Sequence, residues 1–91
     1  MGLSIQIKQG EIADLQNCLI KNIPPIIFVN TAELPYWSEP TGHALVVVGI
    51  DETHIFVNDP AFPDAPESLA IAALELARLE MDQFFAVILA E

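Results

Sequence analysis

Two apolar segments separated by a short polar turn constrain the fold of this chain most strongly. The first, His43–Ile50, is almost entirely apolar and rich in valine, and the second, His54–Asn58, follows the turn Asp51–Thr53. Valine and isoleucine favour strands, and two such runs around a short polar turn predict a β-hairpin. The chain is therefore expected to contain an antiparallel sheet.

Segments on both sides of the hairpin complete the pattern. Leu3, Ile5 and Ile7 alternate with polar residues, which predicts a half-buried strand, and helical spacing predicts a helix over Glu11–Asn22. We expect buried strands at Ile26–Asn30 and Phe84–Ala90 and a loop at Thr31–Gly42. Residues 60–66 are expected to be irregular, and Ser68–Met81 is expected to form the second helix. The prediction is an α+β fold, a mostly antiparallel sheet with two flanking helices, in one domain over residues 1–91.

The charge balance excludes several classes of function. Three basic residues stand against thirteen acidic ones, and a chain with a net charge of −10 repels nucleic acids and anionic membranes. The longest apolar runs have seven residues each, whereas a membrane-spanning helix needs about 20. The N-terminus does not resemble a signal peptide, and the lone Cys18 cannot form an internal disulfide, so we expect a cytoplasmic protein.

His43 and Asp59 are the candidate catalytic residues, because they stand at the two ends of the hairpin. If the turn has three residues, Asp59 lies opposite Leu45, and His43 is two residues away on the same face. A carboxylate bonded to one imidazole nitrogen fixes the ring tautomer and stabilises the imidazolium, as in a catalytic triad. A two- or four-residue turn would place the two side chains on opposite faces.

Structural roles compete with this interpretation. A histidine at the start of a strand often makes a structural hydrogen bond, and an aspartate before proline often forms a turn. Tyr36 and Trp37 either line a substrate cleft or anchor the Pro-rich loop on the core. His54 is expected to be solvated. The histidines and Cys18 match no metal-site spacing, so no bound metal ion is expected.

The stretch GHALVVVGID, followed by HIFVNDP, resembles the His–Asp half of the bacteriocin-processing, papain-like cysteine peptidases of family thirty-nine. EIADLQNCLIKNIPPIIFV is similar to a helix and strand of that family, and ESLAIAALELARLEMDQFFAVILAE is similar to its closing strand–helix–strand. The resemblance implies the C-terminal β-lobe of such a peptidase, with His43 as general base and Asp59 as the acid that orients it. It also implies a peptide substrate, such as a leader peptide, cut after small residues without a cofactor.

In that family the nucleophilic cysteine lies on a helix upstream of the part that this chain resembles. The resemblance therefore implies that the N-terminal lobe is absent here and that the chain, as given, is inactive. Cys18 is a poor substitute, because a thiol on the apolar stripe of a helix behaves as a small hydrophobe. Apolar surface left by a missing lobe predicts a homo-oligomer or a swapped dimer.

Two other interpretations stay open from the residues alone. One is a non-catalytic peptide-binding or interaction module derived from the same fold; a stop codon just upstream would favour it over an in-frame, Cys-bearing segment. The other is a small α+β domain without an inherited site, in which His43 and Asp59 do not meet.

Overall fold

The computed structural model describes residues 2–90, which form six strands and two helices. The elements are β1 (Leu3–Gln9), α1 (Ile12–Ile20), β2 (Ile26–Asn30), β3 (Gly42–Ile50), β4 (His54–Asp59), β5 (Phe62–Ala70), α2 (Ile71–Leu79) and β6 (Phe84–Ala90). A single 3-10 turn, Thr31–Glu33, follows β2. The predicted α+β class with two flanking helices is confirmed.

All six strands belong to one antiparallel sheet, in the order β1-β6-β2-β3-β4-β5. β1 pairs with β6 along its whole length, so the two ends of the chain form a ribbon. This ribbon joins the remaining sheet through only two Cα pairs, Ile26 with Ala86 and Ile27 with Phe85. The part of β6 after Ala86 has no partner in β2, so that end of the ribbon extends beyond β2.

Both helices pack on the same side of the sheet, here called the helix face. Alternate strand positions on that side are buried and join side chains of both helices in one core cluster. Its members include Ile27, Val29, Leu45, Val47 and Val57 from the strands, Leu15 from α1 and Leu74 from α2. The other side of the sheet, here called the open face, carries the intervening positions.

α1 forms where the spacing of apolar residues predicts it. Leu15 is fully buried, and Ile12 and Cys18 pack against the core cluster. The helix ends at Ile20, and Asn22, two residues further, adopts a left-handed φ of 59°. Asparagine tolerates that conformation better than most residues, so it ends a helix readily.

The segment after Asp59 differs from the prediction. Residues 60–66 are not irregular and the second helix does not begin at Ser68, because β5 runs from Phe62 to Ala70 and α2 begins at Ile71. β5 is an edge strand, where a proline removes an N–H that has no partner in the sheet. Pairing with β4 therefore overrides both the proline content and the helix propensity of this segment.

β1 is present, but the predicted half-burial of its apolar side chains is wrong. Leu3, Ile5 and Ile7 are 72, 67 and 65% exposed. They lie on the open face, which no helix covers. Alternation of apolar and polar residues distinguishes the two faces of a strand, but it does not show whether another element covers the apolar one.

Arg78 of α2 is 1% exposed and holds two chain junctions together. Its Nη2 donates to the carbonyl of Gly10 at 2.7 Å and to the carbonyl of Gln83 at 3.1 Å. Burial lowers the pKa of the guanidinium, whereas the carboxylates of Asp14 and Glu75 act in the opposite direction. The two bonds tie the β1–α1 turn to the α2–β6 turn, a role that the residue pattern does not indicate.

Both helices are short, with nine residues each. A helix that crosses a bilayer needs about 20 apolar residues. Within residues 2–90, no helix has the length and hydropathy for such a crossing.

Candidate active site

Three residues, Asp51–Thr53, separate β3 from β4, but the strands do not pair in the register that the sequence suggested. Ile50 pairs with Ile55 and not with His54. Oδ1 of Asp51 stabilises the turn by accepting the backbone N–H of His54 at 2.7 Å. With this register alone, His43 and the last residue of β4 would lie on opposite faces.

A β-bulge reverses that outcome. The register shifts between Val47 and Gly49, and beyond the shift Val47 pairs with Val57. Because a bulge adds one residue to one strand, the positions that share a face change by one. Asp59 thereby falls on the helix face together with His43, the relation that a regular hairpin with a three-residue turn would have produced.

The structure brings His43 and Asp59 into contact. Nε2 of His43 lies 2.7 Å from Oδ1 of Asp59, and the two side chains are 19% and 0% exposed. Because this contact occupies Nε2, Nδ1 is the ring nitrogen left for another partner. A ring held at one nitrogen and partly exposed can transfer a proton at the other nitrogen.

Asp59 accepts four hydrogen bonds. Besides the contact with His43, Oδ1 accepts the backbone N–H of Ala61 at 2.9 Å, and Oδ2 accepts the Tyr36 hydroxyl at 2.9 Å and Trp37 Nε1 at 3.0 Å. Burial alone would raise the pKa of this carboxyl, but the hydrogen bonds outweigh it and hold the pKa below its ordinary value. Asp59 is therefore ionised at neutral pH.

Three aromatic side chains surround this pair. The ring centroid of Trp37 lies 4.8 Å from that of His43, with the planes inclined by 57°. Phe62 meets Tyr36 and Trp37 edge to face, at centroid distances of 5.2 and 5.5 Å. Burial, followed by the hydrogen bond to Asp59, raises the pKa of Tyr36, so the phenol stays a donor.

Of the two roles considered for Tyr36 and Trp37, the structure shows the anchoring one. Both side chains tie the loop before β3 to the end of β4 through the same carboxylate, Asp59. The residue pattern did not predict these bonds. The sequence feature that could have indicated them is the presence of two aromatic hydrogen-bond donors shortly before His43. In the fold, the loop that carries them packs back against the β3–β4 hairpin.

Cys18 lies away from this site. It lines a groove between α1 and the β1–β6 ribbon, with Phe85 in its wall. Phe85 pairs with Ile27 on β2, and Ile27 pairs with Leu45 on β3, two residues from His43. Two strand spacings and two residues amount to about 12 Å from the wall of the groove to His43. The hydrogen-bond and ring contacts of His43 are with Asp59 and Trp37, and Cys18 makes none with it.

The remaining candidate groups form no further site in residues 2–90. In that range, no three His, Cys, Asp or Glu side chains are arranged to hold a metal ion. His54 is exposed, as expected, and its Nδ1 lies 2.7 Å from the hydroxyl of Thr53. The chemistry available at the candidate site is proton transfer by an imidazole held by an ionised carboxylate.

Comparisons with known proteins place this geometry in a family. A crystal structure of a candidate C39-like peptidase from Bacillus anthracis is similar to this chain, with a TM-score of 0.75 and 16% identity. The similarity covers 96% of this chain and 52% of the other, so this chain spans about half of that protein's length. No curated protein matches the sequence. Residues 2–77, which include His43 and Asp59, match the Peptidase_C39 like family, and the chain belongs to that family.

Proposed function

We propose that this chain supplies the general base and its orienting carboxylate to a papain-like cysteine peptidase. The observation that carries the proposal is the 2.7 Å contact between Nε2 of His43 and Oδ1 of Asp59. Membership of the Peptidase_C39 like family supports peptides as the substrate class. The finer specificity that we propose is the leader-peptide type, with cleavage after small residues.

The orientation of the imidazole sets its role. When ionised Asp59 accepts the Nε2–H, neutral His43 carries its lone pair on Nδ1. Nδ1 takes the proton of a cysteine thiol, the thiolate attacks the peptide carbonyl, and the imidazolium returns the proton to the leaving amine. The imidazole then activates a water that hydrolyses the thioester. Asp59 remains ionised and stabilises the imidazolium during each transfer.

We propose that the thiol comes from outside these 91 residues. The sequence contains one cysteine, and that residue, Cys18, is half-buried against the core cluster, whereas His43 contacts Asp59 and Trp37. The N-terminal lobe of the family would supply the nucleophile, and without it the chain is inactive. A lone unpaired thiol is compatible with a reducing compartment, which supports the proposed cytoplasmic location.

The ring tautomers of the two histidines, measured by ¹⁵N NMR, test the His43–Asp59 pair. Neutral His43 should carry its proton on Nε2, and Asp59→Asn should disturb that preference, because the carboxamide offers only one acceptor oxygen. His54 is the control, since its contact is with the Thr53 hydroxyl. A proton on Nδ1 of His43, or a tautomer that Asp59→Asn leaves unchanged, contradicts the proposed role.

Peptide hydrolysis tests the source of the nucleophile. We expect no cleavage of fluorogenic peptides by the 91-residue chain, with or without Cys18→Ala. An in-frame product that also contains an upstream Cys-bearing segment should cleave them, and His43→Ala should lower its kcat/KM by about 100-fold or more. Cleavage by the 91-residue chain that Cys18→Ala abolishes would place the nucleophile on α1. Peptide binding without hydrolysis in any form would favour the interaction module.

A further inference from the structure

We propose that the open face of the sheet is a docking surface for a second copy of this chain. Its most exposed part, here called the ribbon patch, lies on β1 and β6. The patch consists of Leu3, Ile5, Ile7, Phe84 and Ile88, which are 72, 67, 65, 38 and 47% exposed. Clustered apolar side chains that are exposed to this degree mark a surface that meets another molecule.

No helix of the described chain packs on the ribbon patch. The ribbon shares two Cα pairs with β2 and has no helix on its open side. On its helix face the ribbon is packed, because Phe85 and Val87 belong to the core cluster, whereas its open side is uncovered. The open side of β1 and β6 therefore carries most of the exposed large apolar side chains of the sheet.

The distribution of charge favours a second copy as the occupant. The chain carries a net charge of −10, so most of its surface repels another copy. The open-face positions that the pairings define on β1, β6, β2, β3 and β4 carry no Asp, Glu, Lys or Arg. Two copies can therefore meet there without opposing carboxylates, and a two-fold contact matches the patch with itself.

The size of the face suits a dimer. The five strands that carry the uncharged positions lie about 4.8 Å apart and are about seven residues long, which makes a face of roughly 24 by 23 Å, or about 550 Å². Two copies packed face to face would bury about 1,100 Å² in total, at the lower limit of specific interfaces. Two twisted sheets commonly pack in this aligned way.

The free edge of β1 offers a competing mode of association. β5, the other edge strand, carries Pro63 and Pro66, whereas β1 contains no proline. An unprotected edge can pair with the edge of another copy and extend the sheet. Such pairing would leave the ribbon patch uncovered, and the alternation of side chains along β1 allows the two modes to be separated.

Sedimentation equilibrium of the 91-residue chain, with two matched double variants, tests the proposal. Ile5→Lys with Ile7→Lys places two cations on the open face, whereas Ser4→Lys with Gln6→Lys places them on the other side of the same strand. We expect the wild type and S4K/Q6K to be dimers at tens of micromolar. I5K/I7K should raise the dimer dissociation constant by about 100-fold or more, because docking would bury its two ammonium groups.

Each other outcome contradicts the proposal. A wild type that stays monomeric overturns it, and so does a dimer that survives in I5K/I7K. Equal weakening in both double variants overturns it in favour of edge pairing. Amide dispersion in NMR spectra checks that the variants fold; if I5K/I7K does not, Ile88→Lys on β6 should dissociate the dimer instead. Added salt should strengthen the wild-type dimer, because it screens the repulsion between two acidic chains.

Discussion

The two faces of the sheet carry similar aliphatic side chains in opposite surroundings. On the helix face, Leu45 and Val57 are 0% exposed, whereas on the open face Ile5 and Ile7 are 67 and 65% exposed. The side chains have similar hydrophobicity, and the difference comes from the two helices that cover one face only. Hydrophobic composition therefore does not identify the core of this chain; the placement of the helices does.

The same contrast explains where the candidate site lies. The helix face buries the Asp59 carboxylate, because four hydrogen-bond donors surround it. Asn58, the neighbouring residue on the open face, is exposed. A hydrogen-bonded pair of His43 and Asp59 thus lies at the border of the packed side of the sheet.

Truncation of the core gives the largest expected difference between the faces. Leu45→Ala should lower the free energy of unfolding by about 3 kcal/mol, because it leaves a cavity among fully buried side chains. Val46→Ala, one residue along β3 on the open face, should cost less than about 1 kcal/mol. Urea unfolding at low protein concentration measures both. Equal losses would mean that the open face is packed within the monomer.

Asp59→Asn should lower the free energy of unfolding by about 2–3 kcal/mol, because the amide group cannot accept from all the buried donors. Asn58→Asp is the matched control on the open face and should change stability by less than about 0.5 kcal/mol. Thermal unfolding at pH 7 measures the two variants. A small effect of Asp59→Asn would show that the four contacts add little to folding.

The pH dependence of stability sharpens the same comparison. The pKa of folded Asp59 is lowered, so its ionised form stabilises the protein at pH values above about 3.9, the pKa of an unfolded aspartate. That contribution is lost as the pH falls below this value towards the folded pKa. Wild-type stability should therefore decline more steeply below about pH 4 than that of Asp59→Asn. Parallel curves would contradict the lowered pKa.

Trp37→Phe should have a smaller effect, about 1 kcal/mol. The variant removes the N–H that donates to Asp59, but it keeps an aromatic ring near His43. Tyr36→Phe, which removes the other side-chain donor to Oδ2, is the matched comparison. Chemical unfolding together with the His43 ring signals measures both variants. An unchanged stability in the two variants would show that the anchoring bonds are not formed in solution.

The smallest effect is expected on the open face. Ile5→Thr with Ile7→Thr should change the stability of the dilute monomer by about 0.5 kcal/mol or less, because both side chains are already exposed and threonine also favours strands. Unfolding at submicromolar concentration measures this effect apart from association. A loss above about 2 kcal/mol would mean that the monomer packs these residues, and the contrast between the faces would fail.

Strands made of continuous apolar runs were predictable from the sequence. Ile26–Asn30 and Phe84–Ala90 form strands at the predicted bounds, because short runs of β-branched and aromatic residues favour strands. β5 was not predictable, since Pro63 and Pro66 disfavour a strand unless it lies at an edge. Edge position is a property of the sheet and not of the segment.

The candidate residues His43 and Asp59 were also identifiable, because their types and the pattern around them are specific. The route by which they meet was not. Ile50 pairs with Ile55 and not with His54 as assumed, and the bulge between Val47 and Gly49 restores the shared face. The bonds from Tyr36 and Trp37 depend on a loop that returns to the hairpin, which no local pattern encodes.

Local side-chain chemistry was enough to predict the α+β class, most strand positions, the acidic surface and the two residues of the candidate site. It did not predict which face of the sheet is buried, where β5 ends and α2 begins, or how His43 is oriented. These features depend on burial, edge position and register, which are set by contacts between segments far apart in the chain. Such contacts, and not the hydrophobicity of a residue, determine whether it lies in the core or on an interaction surface.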